Sequence, residues 1–272
     1  MAMGCCKDNP LIDQWENVFW IAYALDCDLA LRYGRLPARR YEDAAQIPLP
    51  TTHEQRQIQS DEGGWRIDYL RIAAEISLIQ ARVSERLLKN HNDDSVSKLL
   101  NDLHQWRRHW IFNQAPRSLA QNLHRSDLMA FMFLEGSYHL TLFSIYTHLA
   151  LLNRRSGLMF DVDTLLQVAK EKKQPALEDS RRFIDFVRVL PKGDVAWAYH
   201  VVHNLVASVI VLLSHAQQNK ADAQIRADVE FSKYVMAIIN HISKKCAQAD
   251  CRKVQMILHQ LYERAELAGT RS

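Results

Sequence analysis

A chain of 272 residues can bury a large core, and with 48% hydrophobic residues but only 8 Gly and 7 Pro its composition excludes a disordered or low-complexity protein. The formal charge of +3 is small for this length. Its basic clusters (Arg39-Arg40, Arg107-Arg108, Arg154-Arg155, Arg181-Arg182, Lys244-Lys245) are pairs that solvated helix faces explain, so no polyanionic partner is called for. The five cysteines, Cys5, Cys6, Cys27, Cys246 and Cys251, form no regular disulfide framework. With no signal peptide in MAMGCCKDNP, they point to a reducing intracellular compartment, nucleus or cytoplasm.

In chain order, the first element is the run from Trp15 to Tyr33. Phe19, Trp20, Tyr23, Leu25, Leu29 and Leu31 leave it little polar face, so the helix is expected to be enclosed on most sides. Asp26 lies inside this run and needs a donor, with Arg32 and Arg35 as the nearby candidates. Gly34 can take the left-handed conformation that ends a helix, and Pro37, Pro48 and Pro50 keep the following loop from resuming one. A second helix is predicted over residues 65–89, with Gly63-Gly64 at its start and Ile72, Ile76, Ile79, Val83 and Leu87 at helical spacing. A third is predicted over about 94–110 from Leu99, Leu103, Trp106 and Trp110, with a turn at Ala115-Pro116.

The stretch from Ser126 to Arg154 is the longest helical run, its start capped by Ser126 or Asp127. Pro175 and Pro191-Lys192-Gly193 bracket a helix over 176–190. The next helix opens near Asp194. His200, His203, Asn204 and Ser208 interrupt its apolar length, making it a buried central helix rather than a membrane span. Two closing helices are predicted over about 223–246 and 250–267. Seven of the eight glycines fall at or near these breaks and no alternating strand pattern occurs. The expected architecture is all-α, a compact multi-helix fold with long central buried helices, organised as a single domain over 1–272.

Several of these segments carry a common pattern. FWIAYALDCDLALRYGRLPA followed by IPLP resembles the signature of the fungal transcription factor regulatory domain, the middle homology region of zinc-cluster activators. That signature reads as an aromatic pair, an LDR-x-LS helix, GRP, and an acidic loop ending in proline. Phe19, Trp20, Leu25, Asp26, Leu29, Gly34, Arg35, Pro37 and Pro50 match it, while Cys27 and Ala30 stand where the family has arginine and serine. LLNDLHQWRRHW resembles the family's L-x-x-W helix, and YHLTLFSIYTHLALLNRR its YH-x-x-x-I-x-LHRP helix through Tyr138, His139, His148 and Arg154. Trp197, His200, Ala207 and Leu212 fall near the positions of a further family helix.

MAMGCCKDNP resembles a segment that in the family lies well inside the domain, so the resemblance implies a domain shortened at its amino terminus. The apolar face thereby left open would be covered most simply by self-association. The cysteine spacing cannot build the six-cysteine binuclear zinc cluster, so autonomous DNA binding is not expected.

Candidate chemistry concentrates on the two central helices. Glu135 and His139 are one turn apart, and His200 and His203 are three residues apart, an arrangement that could face inward as metal ligands do in bundles. Core histidines are the simpler expectation, and no metal is assigned. No nucleophile elbow, phosphate-cradling glycine loop or dinucleotide fingerprint occurs, so no cofactor is expected. Tyr138, His139, Tyr146, Trp197, His200 and His203 could line an apolar cavity for a hydrophobic small molecule, or simply fill the core.

Two functions follow. The first is a regulatory, protein-interaction or metabolite-sensing domain acting as a homodimer or with a transcription-factor partner, with no direct contact to nucleic acid or membrane. The second is the same scaffold used as a cofactor-independent cyclase or isomerase of secondary metabolism, with Glu135, His139, Tyr146 and His200 moving a proton.

Overall fold

A computed structural model describes residues 10–50, 57–88, 93–152, 176–190, 196–218, 224–245 and 249–270. Asp194, Pro175 and Pro191 lie outside these residues, as do the side chains of 196–200. The described chain is all-α apart from one small hairpin. It divides into two compact units, residues 1–113 with 122–127, and residues 114–121 with 128–272.

In the first unit, α1 spans Pro10–Tyr33 and α2 is a single turn at Tyr41–Ala44. Strands β1 (Gln57–Gln59) and β2 (Arg66–Asp68) pair antiparallel, with Ile58 opposite Ile67 and both side chains buried. Helices α3 (Tyr69–Leu88) and α4 (Asp93–Arg107) follow, then a 3-10 turn at Trp110–Asn113. The hairpin corrects the sequence reading at Gly63-Gly64. These glycines close its turn, where Gly63 has φ +69° and donates its N–H to the Ser60 carbonyl, and the helix begins only at Tyr69. The strands were missed because three residues each are too short to show alternation.

Helix α1 ends at Tyr33, where the sequence placed its end. Gly34 takes φ +60°, its N–H bonds the Leu31 carbonyl at 3.3 Å, and the Arg35 N–H bonds the Ala30 carbonyl at 2.9 Å, the paired bonds of a Schellman cap. The expectation that α1 is enclosed on most sides is overturned. One face, carrying Trp20, Tyr23, Cys27 and Ala30, is buried, while Trp15, Val18, Ile21, Leu25 and Leu29 are exposed. Apolar composition gave no sign of this asymmetry, because both faces of α1 are apolar.

The second unit holds α5 (Pro116–Asn122), most of α6 (Arg125–Leu152), α7 (Ala176–Val189), α8 (Ala196–Gln218), α9 (Ile225–Lys245) and α10 (Ala249–Thr270). Helix α8 is its hub, since α7, α9 and α10 all pack against it. The 18-residue window of α6 that is long and apolar enough to cross a membrane is 72% buried, as in a core helix. The start of α6 is capped by neither predicted residue. His124 does so, its Nδ1 lying 2.8 Å from the Ser126 hydroxyl and accepting the Ser126 N–H. Between α7 and α9, the Arg181 guanidinium grips the buried Asp228 carboxylate with two nitrogens.

Gly136, the glycine that marks no break, sits inside α6 at the crossing with α8. A Cβ there would lie 3.2 Å from Val201 Cγ1 and 3.4 Å from Asn204 Nδ2, and the Asn204 amide donates to the Gly136 carbonyl at 2.9 Å. The side chain that glycine lacks is what lets α8 approach closely enough for this bond. Asn204→Ala removes a buried donor and opens a small void, so we expect a loss of about 1–3 kcal/mol. Gly136→Leu should cost more by forcing the helices apart. Urea unfolding midpoints of both variants check this.

Three histidines give the fold a pH dependence. Burial holds His104, His109 and His148 below the ordinary histidine range, with Arg108 adding to the effect at His104 and Glu75 opposing it at His109. Below about pH 6.5 the unfolded chain therefore binds more protons than the folded one. Stability present above that pH should be lost as the pH falls through the depressed folded values. Urea midpoints measured between about pH 7.5 and 5.5 should decline, and His104→Gln should flatten part of the decline.

Candidate functional site

The signature segment of α1 builds a defined structure. Trp20 and Tyr23 point into a core formed with Ala44, Leu70, Ala74 and Ala81, and the Trp20 indole N–H donates to the Pro48 carbonyl at 2.8 Å. That bond holds the proline loop down, so that Ile47 and Leu49 pack on the same core. Phe19 stacks on Tyr23 with centroids 5.6 Å apart, and the Arg39 guanidinium covers Phe19. Asp26 is the clamp of this region. One of its oxygens accepts from Arg35 at 2.9 Å, the other accepts the Ala38 backbone N–H, and Arg35 also donates to the Leu36 carbonyl. Arg32, the other candidate partner, pairs with Asp28 instead. Pro37 is buried within this loop.

Asp26, Gly34, Arg35 and Pro37 are therefore brought together, and Asp26 is partly open to solvent rather than deeply buried. Cys27, on the buried face, has its thiol pushed up to about 12, chiefly by burial. It is a packing residue and not a reactive thiolate.

The residues proposed from sequence in the second unit have a different setting. Glu135, Tyr138, His139 and Tyr146 are all essentially sealed from solvent. The His139 ring packs 4.6 Å from Phe183, and its Nε2 lies 3.9 Å from Glu135 Oε2. Glu135 faces Arg182, whose guanidinium is 3.5 Å from Oε1 and also bonds the Gln114 carbonyl at 3.0 Å. Burial, with smaller contributions from Tyr138 and Asp179, pushes the Tyr146 hydroxyl far above its ordinary range, away from what proton transfer at neutral pH requires. His203 is solvent-exposed, unlike the sealed Glu135 and His139. The side chains of Trp197 and His200 lie outside the described residues. Among the described residues, no three His, Cys, Asp or Glu side chains gather as metal ligands.

Open spaces lie elsewhere among the described residues. A cavity of about 190 Å³ in the first unit is lined by Tyr41, Glu42, Arg82, Glu85, Arg86 and Lys98. Arg82 lies over the Tyr41 ring there and bonds Asp102 at 2.7 Å. A groove of about 500 Å³ runs between α9 and α10, past Met236, Ile239, Met256 and Leu258, with Gln255 bonded to Asn240 at its edge. Neither space touches Glu135, His139 or Tyr146. Periodicity alone gave no signal for either.

The described residues form an all-α fold in which the Asp26 clamp fixes one helix and the loop after it. The chain is a distant relative of fungal transcription factors. It is 24% identical over 254 residues, 86% of its length, to ABC-transporter-regulating transcription factors of Aspergillus oryzae and Aspergillus fumigatus. It is 22% identical over 265 residues, 93% of its length, to the Fusaridione A cluster transcription factor of Fusarium heterosporum. The chain spans 28% of the length of the two Aspergillus proteins and 49% of the Fusarium one. No protein-family model matches it, and no solved structure matches it significantly.

The Asp26 clamp yields a direct expectation. Asp26→Ala removes a charged acceptor from two donors and should lower stability by about 1–2 kcal/mol, the partial exposure of Asp26 and Arg35 keeping the loss at the lower end for charged hydrogen bonds. Asp26→Asn, which can still accept the Ala38 N–H, should lose less. Chemical denaturation of the two variants and of Arg35→Ala separates the backbone bond from the ion pair.

Proposed function

We propose that this chain is a transcription-regulatory domain resembling the middle homology region of zinc-cluster activators, acting in the nucleus through protein interaction rather than by reading DNA itself. The observation that carries this reading is distant similarity to fungal transcription factors over most of the chain. The clamp of Asp26, Arg35 and Ala38 supports it, since the residues of the signature make one local structure. The names of the relatives suggest genes of an ABC transporter or of a secondary-metabolite cluster as targets.

The enzyme reading draws no comparable support. Its proposed residues Glu135, His139 and Tyr146 are sealed in the core, and Tyr146 is held in its neutral form.

The test is transcriptional. Fused to a heterologous DNA-binding module in a fungal host, the chain should change reporter expression severalfold relative to the module alone, in either direction. Asp26→Ala, at equal protein level, should reduce that change. A folded, nuclear fusion that leaves the reporter at the level of the module alone would count against a regulatory role.

A further inference from the structure

Helix α1 is apolar on both sides, and only one side is used. Trp20, Tyr23, Cys27 and Ala30 face the core, whereas Trp15, Val18, Ile21, Leu25, Leu29 and Tyr33 are exposed, Trp15 and Tyr33 by 75% and Leu25 by 60%. At 100° per residue the two sets lie on opposite sides of the helix. A surface helix normally places charge on its outward face. Here the outward face is apolar for about five turns.

The spacing is informative. Trp15, Ala22 and Leu29 recur at seven residues, and Val18 and Leu25 fall between them at the same interval, so the exposed seam advances by three and four in alternation. That is the pattern of a helix that packs lengthwise against another helix. The area fits as well. With a large side chain offering on the order of 200 Å², these exposures leave several hundred Å² of apolar surface in water. This matches the largest patches of typical monomers, which are often functional, and is of the order of the roughly 800 Å² that each partner gives to a standard interface.

We propose that this face of α1 binds the same face of a second copy, antiparallel, about a twofold axis at Ala22. Ala22 is exposed, is the smallest residue of the seam and stands midway between Trp15 and Leu29. At the crossing point it lets the two backbones approach, and the antiparallel sense sets each Trp15 beside the partner's Leu29. A parallel pairing would instead stack Trp15 on its own copy and align the two helix dipoles unfavourably. The twofold makes the contact closed and self-complementary, so it ends at a dimer. The proposal rests on the reading of the chain as an interaction domain and assigns a surface and a partner to it.

Sedimentation velocity of the purified chain, from low micromolar to near-millimolar concentration, tests this. The natural sequence should sediment as a dimer, and Leu25→Glu should weaken the dimer by more than about tenfold while leaving the helical circular dichroism unchanged. If Leu25→Glu fails to fold, Val18→Lys on the same exposed seam serves in its place. In a chain whose Cys5, Cys6, Cys246 and Cys251 are replaced by serine, Ala22→Cys should form an oxidant-dependent covalent dimer, and its parent should not. A natural chain that stays monomeric throughout, or a dimer indifferent to Leu25→Glu and Val18→Lys, would overturn the assignment. A monomer that still alters transcription in the reporter assay would remove this interface and leave the regulatory reading standing. A dimer that is silent in the reporter would do the reverse.

Discussion

The first unit depends on one constraint, the docking of the Trp20, Tyr23 and Cys27 face of α1 against α3. Each large side chain buried there contributes about 1.5–3 kcal/mol by leaving water. That gain is realised only if the chain after Tyr33 turns back at a fixed angle. Three local devices fix the angle. Gly34 terminates the helix in the left-handed region, Asp26 holds Arg35 and Ala38, and Trp20 holds the Pro48 carbonyl. Removing any one leaves apolar surface intact but lets the loop swing, and Ile47 and Leu49 would then lose their seat on the core. The signature is a geometric unit in which an acid, a glycine and a tryptophan each do a different part of one turn.

The second unit solves another problem, that of packing long helices which are apolar most of the way round. Apolar contact alone leaves such helices free to slide and rotate, because many registers bury similar area. The polar groups remove that freedom. Asn204 donates to the buried carbonyl of Gly136, Arg182 joins Glu135 to Gln114, and Arg181 forks onto Asp228. A buried ion pair adds little net stability compared with a well-packed apolar pair, yet breaking one partner is expensive, so its effect is to penalise wrong arrangements.

Much of this was legible in the sequence, and the illegible parts have definite causes. The long helices announced themselves through spacing, and the Gly34 stop placed the end of α1 at Tyr33. Asp26 could be recognised as needing a donor, but Arg32 is nearer to it in sequence than Arg35. Only the turn of the chain after Gly34 selects Arg35. The hairpin was hidden because six paired residues carry no detectable period. Gly136 and Asn204, 68 residues apart, could not be connected by any local pattern. The same limit affected the candidate site. Sequence spacing placed Glu135 and His139 one turn apart, as they are, but whether that pair lines a cavity or fills a core depends on helices distant in sequence.

That last distinction bears on function. A proton-transferring site needs groups that reach a substrate, and on α6 Glu135, His139 and Tyr146 are sealed from solvent, with burial driving the Tyr146 hydroxyl far above its ordinary range. Its polar groups act on packing. The exposed face of α1 has the opposite character. Leu25 and Leu29 lie on the side of α1 opposite Trp20 and Cys27 and keep much of their apolar surface in water, which raises the risk of aggregation. If the only requirement were to hold α1 on α3, polar residues at Trp15, Val18, Leu25 and Leu29 would serve the fold equally well and solubility better. Selection for the fold alone therefore does not account for that face. The pairing proposed for α1 would account for it, because it would turn the same exposed area from a cost in the isolated chain into a driving force in the complex.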